Sequence, residues 1–127
     1  METTKPTEPR ERYDRLVRAA QTLPPVTTAV AHPCDQISIE GVVEAARLGL
    51  IAPILVGPPT RIRDAAQKAE FDISDFPIEA SAHSHDSAAM AVELVRQGKA
   101  EALMKGSLYV RFFDSNRIQA LFGHFFS

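Results

Sequence analysis

Tryptophan is absent from this chain, cysteine occurs once, and no apolar run approaches the length of a membrane span. A lone Cys34 makes no internal disulfide, and no apolar stretch follows a basic leader as in a signal peptide, so the expected compartment is a reducing cytoplasm. Charge of one sign is lacking too. Fourteen Lys plus Arg stand against 16 Asp plus Glu, a formal net charge of -2 mixed along the chain, which leaves no basic footprint for nucleic acid. Around Gly57-Pro58-Pro59-Thr60 there is neither the lysine of a phosphate loop nor the glycine spacing of a dinucleotide fingerprint. What is present is 127 residues, 45% apolar and 24% charged, enough for one soluble domain with a single core.

Periodicity divides the chain into three parts. Residues 1-9 are polar, carry Pro6 and Pro9, and read as a flexible lead-in. Tyr13, Leu16, Val17 and Ala20 put one apolar stripe on a helix from about Arg10 to Leu23, stopped by Pro24 and Pro25. Val26 to Ala31 is apolar without alternation, the pattern of a strand buried on both faces. A helix from Ile37 or Ser38 to Leu48 follows, capped by Asp35 or Ser38 and ended at Gly49. Pro53 to Val56 reads as a second strand, and Thr60 as the cap of a helix from Arg61 to Glu70. Ile78 to Ala80 makes a third, weaker strand. A helix capped by Asp86 or Ser87 then runs through Gln97 to Gly98. Ala102 to Met104 is the fourth strand. This alternation predicts an α/β domain over residues 10-108, a three-layer parallel sheet with flanking helices and right-handed crossovers.

The fourth strand stops at Lys105-Gly106-Ser107, a cation, a backbone free to approach a ligand, and a hydroxyl. In an open parallel sheet ligands lie beyond the carboxyl ends of the strands. Those ends carry His32 and Asp35, then Gly57 and Thr60, then Ser81, His83 and His85, then Lys105, Gly106 and Ser107. One rim thus collects the polar groups expected around an anion, with helix starts adding oriented N–H groups. His83-x-His85 could place two imidazoles near a metal with Asp86 or Asp35 as a third ligand, but spacing alone is a weak signal, polar rim histidines are commoner, and no metal is expected. Cys34 lacks a positioned base beyond His32 and reads as a packed thiol. Arg61-x-Arg63 reads as a solvated helix start, whose cations oppose the dipole and so weakly favour a nearby anion.

Val26-Thr27-Thr28-Ala29-Val30-Ala31-His32-Pro33-Cys34-Asp35, then Glu44-Ala45-Ala46 through Gly49-Leu50-Ile51-Ala52-Pro53-Ile54-Leu55-Val56-Gly57-Pro58, then Ala102-Leu103-Met104-Lys105-Gly106-Ser107-Leu108, resemble the amino-terminal half of the phosphate acetyl/butyryl transferases. The likeness covers Tyr13 to Leu108 and is nearest to the phosphotransacetylase-like domain fused to enoyl-CoA hydratase modules. It implies acyl transfer between coenzyme A and phosphate, with phosphate, acyl phosphate and CoA thioester as small-molecule substrates and no covalently bound cofactor. It also implies the first domain of an isocitrate dehydrogenase-like fold, here incomplete, and a homodimer. On this resemblance Lys105, Gly106 and Ser107 bind the phosphate or acyl group, with His32, Asp35, Ser81 and His83 as further rim contacts.

Departures begin after Leu108. The family continues with a histidine and a threonine, whereas Tyr109, Val110 and Arg111 follow here. The serine, arginine and aspartate of the family's second half have no counterpart, so no catalytic residue is assigned and a truncated, inactive fragment is expected. Residues 109-127 form an atypical aromatic tail holding five of the seven Phe, at Phe112, Phe113, Phe122, Phe125 and Phe126. Ile118, Leu121, Phe122 and Phe125 are spaced for a short helix capped by Asp114 or Ser115. The alternative reading is a non-catalytic α/β module that associates through this helix.

Overall fold

The computed structural model describes residues 9–105 and 108–111, the last four through their backbone. The lead-in over residues 1–8, Gly106, Ser107 and the aromatic helix expected after Asp114 lie outside the described residues.

The elements are α1 (Pro9–Ala20), β1 (Val26–Ala31), α2 (Gln36–Arg47), β2 (Ile51–Gly57), α3 (Pro59–Lys68), β3 (Ile78–Ala80), α4 (Ser84–Arg96), β4 (Ala102–Lys105) and β5 (Leu108–Arg111). The sheet order is β3-β2-β1-β4-β5. β1 pairs in parallel with β2 on one side and β4 on the other, and β3 adds in parallel to β2. The expected four-stranded parallel sheet is therefore present. β5 extends it, running antiparallel on β4 with Lys105 opposite Leu108 and Ala102 opposite Arg111.

Helices cover both faces. On one, Val30, Ile51 and Leu55 pack with Ile39, Val42 and Val43 of α2 and Ile62, Ala65 and Ala66 of α3. On the other, Ala29, Ala31, Val56 and Leu103 pack with Ala91, Val92, Leu94 and Val95 of α4. Alternate residues of β1 thus serve opposite layers, which is why its sequence shows no polar face. α1 differs: Leu16, on its apolar stripe, stays 70% exposed.

Several boundaries depart from expectation for identifiable reasons. α3 begins at Pro59 behind Pro58 with no side-chain cap, instead of being capped by Thr60. Proline in the first turn has φ already set, and its missing N–H is one the helix would not use. α4 starts at Ser84, three residues before Ser87, with the extended backbone of His83 as cap. β2 starts at Ile51 and runs through Pro53. Leu55 N–H donates to the Pro77 carbonyl on the β3 side at 2.9 Å. Pro53, two residues earlier, turns its nitrogen to that same side before β3 begins, where no ladder bond is lost. The expected helix stops at Gly49 and Gly98 are present, both at positive φ. There Leu50 N–H reaches the Ala45 carbonyl and Lys99 N–H the Leu94 carbonyl, the bonds of a left-handed helix end.

Leu55 is fully buried between two helices and two strands, whereas Ile37 in the first turn of α2 is 81% exposed. We expect Leu55→Ala to lower unfolding free energy by about 2–5 kcal/mol, since a cavity cannot collapse there. Ile37→Ala should change it by no more than about 0.5 kcal/mol. Urea denaturation of both variants checks the contrast.

Candidate functional site at the carboxyl edge of the sheet

Because β1 leads to β2 on one side while β4 returns on the other, the strand order reverses between β1 and β4. A crevice at such a reversal is where α/β sheets hold ligands. Ala31 stands opposite both Val56 and Lys105, so the ends of β1, β2 and β4 are level. His32 and Lys105 flank the reversal directly.

His32 continues the ladder by donating its N–H to the Val56 carbonyl at 2.7 Å. It then turns out of the sheet with φ of 57, a left-handed conformation for a non-glycine residue. Such a conformation costs on the order of 1–3 kcal/mol and persists where surrounding contacts over-determine it. The contacts here are specific. His32 Nδ1 lies 3.2 Å from Ser87 Oγ, and Ser87 Oγ lies 2.6 Å from Ser81 Oγ. Ser87 Oγ donates to the His83 carbonyl at 2.9 Å. Gly57 belongs to the same packing: a Cβ there would lie 3.5 Å from the His32 Cα and 3.1 Å from Ile62 Cδ1.

Ser81, after β3, is delivered by its N–H bond to the Gly57 carbonyl at 3.0 Å. Thus the sheet brings His32, Ser81 and Lys105 to one edge, with His83 as the cap of α4 beside them. Burial lowers the His32 pKa, and the positive charges of Arg61, His83 and Lys105 lower it further. These neighbours come from three different elements, and all are cationic or become so on protonation. The edge therefore favours an anion.

Asp35 has another task. Its carboxylate accepts from Ser38 N–H at 2.8 Å and from Ser38 Oγ at 2.9 Å, capping α2 as one of the two expected residues. The Ser38 backbone N–H and then its hydroxyl hold the Asp35 pKa below the ordinary aspartate value. Cys34 is half-buried and burial pushes its thiol pKa up, the wrong direction for a nucleophile at neutral pH. Cys34, Asp35, Arg61, Asp64 and Lys68 line a polar cavity of about 470 Å³ between the starts of α2 and α3. Among the described residues no cluster of three His, Cys, Asp or Glu is placed to hold a metal.

Ser87 is the site residue missed as such. It was expected only as a possible cap, yet it lies wholly buried within α4 and ties together Ser81, His83 and His32. The available signal was a hydroxyl placed in helical register with the buried positions Ala91, Leu94 and Val95.

The fold and this edge define a doubly wound α/β domain with a cationic rim at its strand reversal. No model of a protein family matches the chain. The chain is 49% identical over 104 residues to a phosphate acetyltransferase of Rhizobium meliloti, covering 82% of this chain and 33% of that protein. It is 36% identical over 99 residues to a phosphate acetyltransferase of Rickettsia typhi, covering 78% and 28%. With a phosphate butyryltransferase of Clostridium beijerinckii it shares 32% over 96 residues, covering 76% and 32%. Among solved structures, a phosphotransacetylase from Streptococcus pyogenes superposes with a TM-score of 0.66 at 16% identity, over 88% of this chain and 42% of that one. The EutD phosphotransacetylase from Staphylococcus aureus gives 0.61 at 17%, over 75% and 38%. These two show the shared fold. The chain is thus related to the phosphate acetyl- and butyryltransferase family, and it spans about a third of the length of the curated relatives it matches.

The Asp35 cap yields a pH prediction. Its pKa is lower folded than unfolded, so its contribution is complete above the unfolded value and is lost as pH falls through the folded one. Asp35→Ala should cost about 1 kcal/mol at pH 7. The deficit should shrink in acid below the ordinary aspartate range, as read from urea midpoints over a pH series.

Proposed function

We propose that this chain carries the phosphate-binding or acyl-binding wall of a phosphate acyltransferase, which interconverts acyl-CoA plus phosphate with acyl phosphate plus CoA. The observation that carries the reading is the cationic rim at the strand reversal, in a chain related to phosphate acetyltransferases. In the direction of acyl-CoA synthesis, the CoA thiolate attacks the carbonyl carbon of the acyl phosphate. A C–S bond forms, the C–O bond to phosphorus breaks, and phosphate leaves with the electron pair. Lys105, the Gly106 backbone and Ser107 would hold that phosphate, with His32, Ser81 and His83 beside it. Developing negative charge on the departing oxygen is what a cationic rim stabilises.

Holding one substrate is not turnover. Acceleration in such a bimolecular step comes largely from fixing both reactants at attack distance in a water-poor cleft. Binding of the phosphate or acyl group, without transfer, is the activity assigned to the residues of this rim. Coenzyme A and its thioesters are the remaining substrates of the reading, and a reducing cytoplasm suits both them and a lone thiol. Among the described residues no helix is long and apolar enough to cross a membrane.

A homodimer is the second part of the proposal. Its support lies at the opposite edge of the sheet, where an apolar groove of about 550 Å³ is lined by Leu23, Pro24, Val26, Leu50 and Met104, among others. Leu23 is 60% exposed and Leu16 nearby in the chain is 70% exposed.

Inorganic phosphate or acetyl phosphate should raise Tm, and Lys105→Ala combined with Ser107→Ala should abolish the shift. The chain alone should release no CoA thiol from acetyl-CoA and phosphate; family-like release would refute the division between binding and transfer. In light scattering Leu23→Asp should convert a dimer to a monomer, and a wild-type monomer at micromolar concentration would remove the dimer from the proposal.

A further inference from the structure

Thr28 and Ser87 are the two wholly buried polar side chains among the described residues. Thr28 turns back on its own strand, donating to the Val26 carbonyl. Ser87 instead joins three segments, and its hydroxyl has one proton to give. That proton goes to the His83 carbonyl, which can only accept. The His83 carbonyl also accepts the Ser87 backbone N–H at 2.8 Å, and the heavy-atom positions at the other two contacts suit either donor. With the hydroxyl proton assigned to the His83 carbonyl, Ser81 donates its own hydroxyl proton and His32 donates from Nδ1. A neutral imidazole with its proton on Nδ1 carries its lone pair on Nε2. Among the described residues Nε2 has no hydrogen-bond partner.

The surroundings determine what that lone pair can do. Arg61 at the start of α3, His83 ahead of α4 and Lys105 at the end of β4 all act on the ring. On the ring's own segment, Asp35 is engaged by Ser38 at the α2 cap and Cys34 is uncharged. Asp35 keeps its negative charge in the α2 cap, and the groups that act on the ring itself are Arg61, His83 and Lys105. Burial first and these cationic neighbours second lower the pKa of the ring, which favours its neutral form.

We infer that His32 is a proton-gaining ligand for a phosphate-type dianion at the strand reversal: on binding, Nε2 takes a proton from solvent and donates it in a hydrogen bond to an anion oxygen. Ser87 is the positioning residue. By occupying Nδ1 as an acceptor, it leaves Nε2 as the only nitrogen that gains the proton. The added proton puts one positive charge on the ring directly against the two negative charges that the dianion brings. This deepens the phosphate-binding reading and rests on it.

The test is ¹⁵N NMR of the His32 ring in the full chain over pH 5–9, with and without inorganic phosphate. Without phosphate, the neutral ring should carry its proton on Nδ1. With phosphate, the His32 midpoint should move upward, so that both nitrogens are protonated at a pH where the free ring is neutral. If phosphate shifts rim backbone resonances while the His32 midpoint stays put, the inference is overturned and the phosphate-binding reading stands. If phosphate perturbs no rim resonance, both fall together. Ser87→Ala should move the neutral ring toward the tautomer protonated at Nε2 and reduce the phosphate-induced shift. Lys105→Ala should weaken phosphate binding and leave the tautomer of the free ring unchanged. A wild-type ring already protonated at Nε2 when neutral would overturn the role given to Ser87, with no variant required.

Discussion

The central placement of β1 is the constraint on which the other features depend. It is the strand paired in parallel on both sides, to β2 and to β4. Its side chains alternate between the α2/α3 layer and the α4 layer. A strand so enclosed carries apolar residues or a threonine satisfied on its own strand, as Thr28 is by the Val26 carbonyl, and polar groups meant for a ligand come at its end. There the chain breaks out of the sheet at His32 with a left-handed backbone, at the level where Lys105 arrives from the other direction. Moving β1 to an edge would separate His32 from Lys105 and leave no reversal for a crevice to form.

How much of this was legible depended on the kind of signal. Buried strands announce themselves as short apolar runs, and Val26 to Ala31 and Ala102 to Lys105 lie where those runs do, while Ile78 to Ala80 is the weaker, largely exposed strand at the sheet edge. Local chemistry was equally readable where one residue satisfies one backbone group, as at the Asp35 cap and the Gly49 and Gly98 ends. The failures share a cause. Starts of α3 and α4 were sought at the nearest hydroxyl or carboxylate, but both helices begin earlier, one on a proline pair and one on an extended backbone at His83. With α4 extended, Ser87 moves from its cap into its buried face. Only tertiary packing decides that, because the same serine suits either place by composition. β5 is absent from the sequence reading because that reading ends the domain at Leu108 and places Tyr109-Val110-Arg111 in the aromatic tail. Its residues follow a Gly-Ser pair and are strand-forming, which is a hairpin pattern.

At the rim, seven residues are assigned as contacts from the sequence, and their fates differ. The structure brings His32, Ser81 and Lys105 to one edge, engages Asp35 as a helix cap and places His83 as another cap. Gly106 and Ser107 remain a proposal, as does every contact of this rim with a ligand. The electrostatic character arises from which groups act on the ring. The carboxylate nearest in sequence stays charged but is turned to Ser38 in the α2 cap, and Arg61, a solvated helix start in the sequence reading, acts on His32. A chain of nearly balanced overall charge can in this way carry a locally cationic edge.

Relationship to enzymes about three times as long raises the question of what this length can sustain by itself. The two apolar clusters close on both faces of β1 and β2 using helices from within the described residues, so the rim is backed by packed core on either side of the sheet. The order of its parts follows from that core: β2 orients His32 through the Val56 carbonyl, β2 also delivers Ser81 through the Gly57 carbonyl, and α4 locks both through one hydroxyl. Anion recognition requires such pre-set groups and little else. Acyl transfer makes a further demand, because a second substrate must be held against the first with water excluded. The division between binding and chemistry is therefore a division between what one sheet edge can orient and what needs an opposing wall.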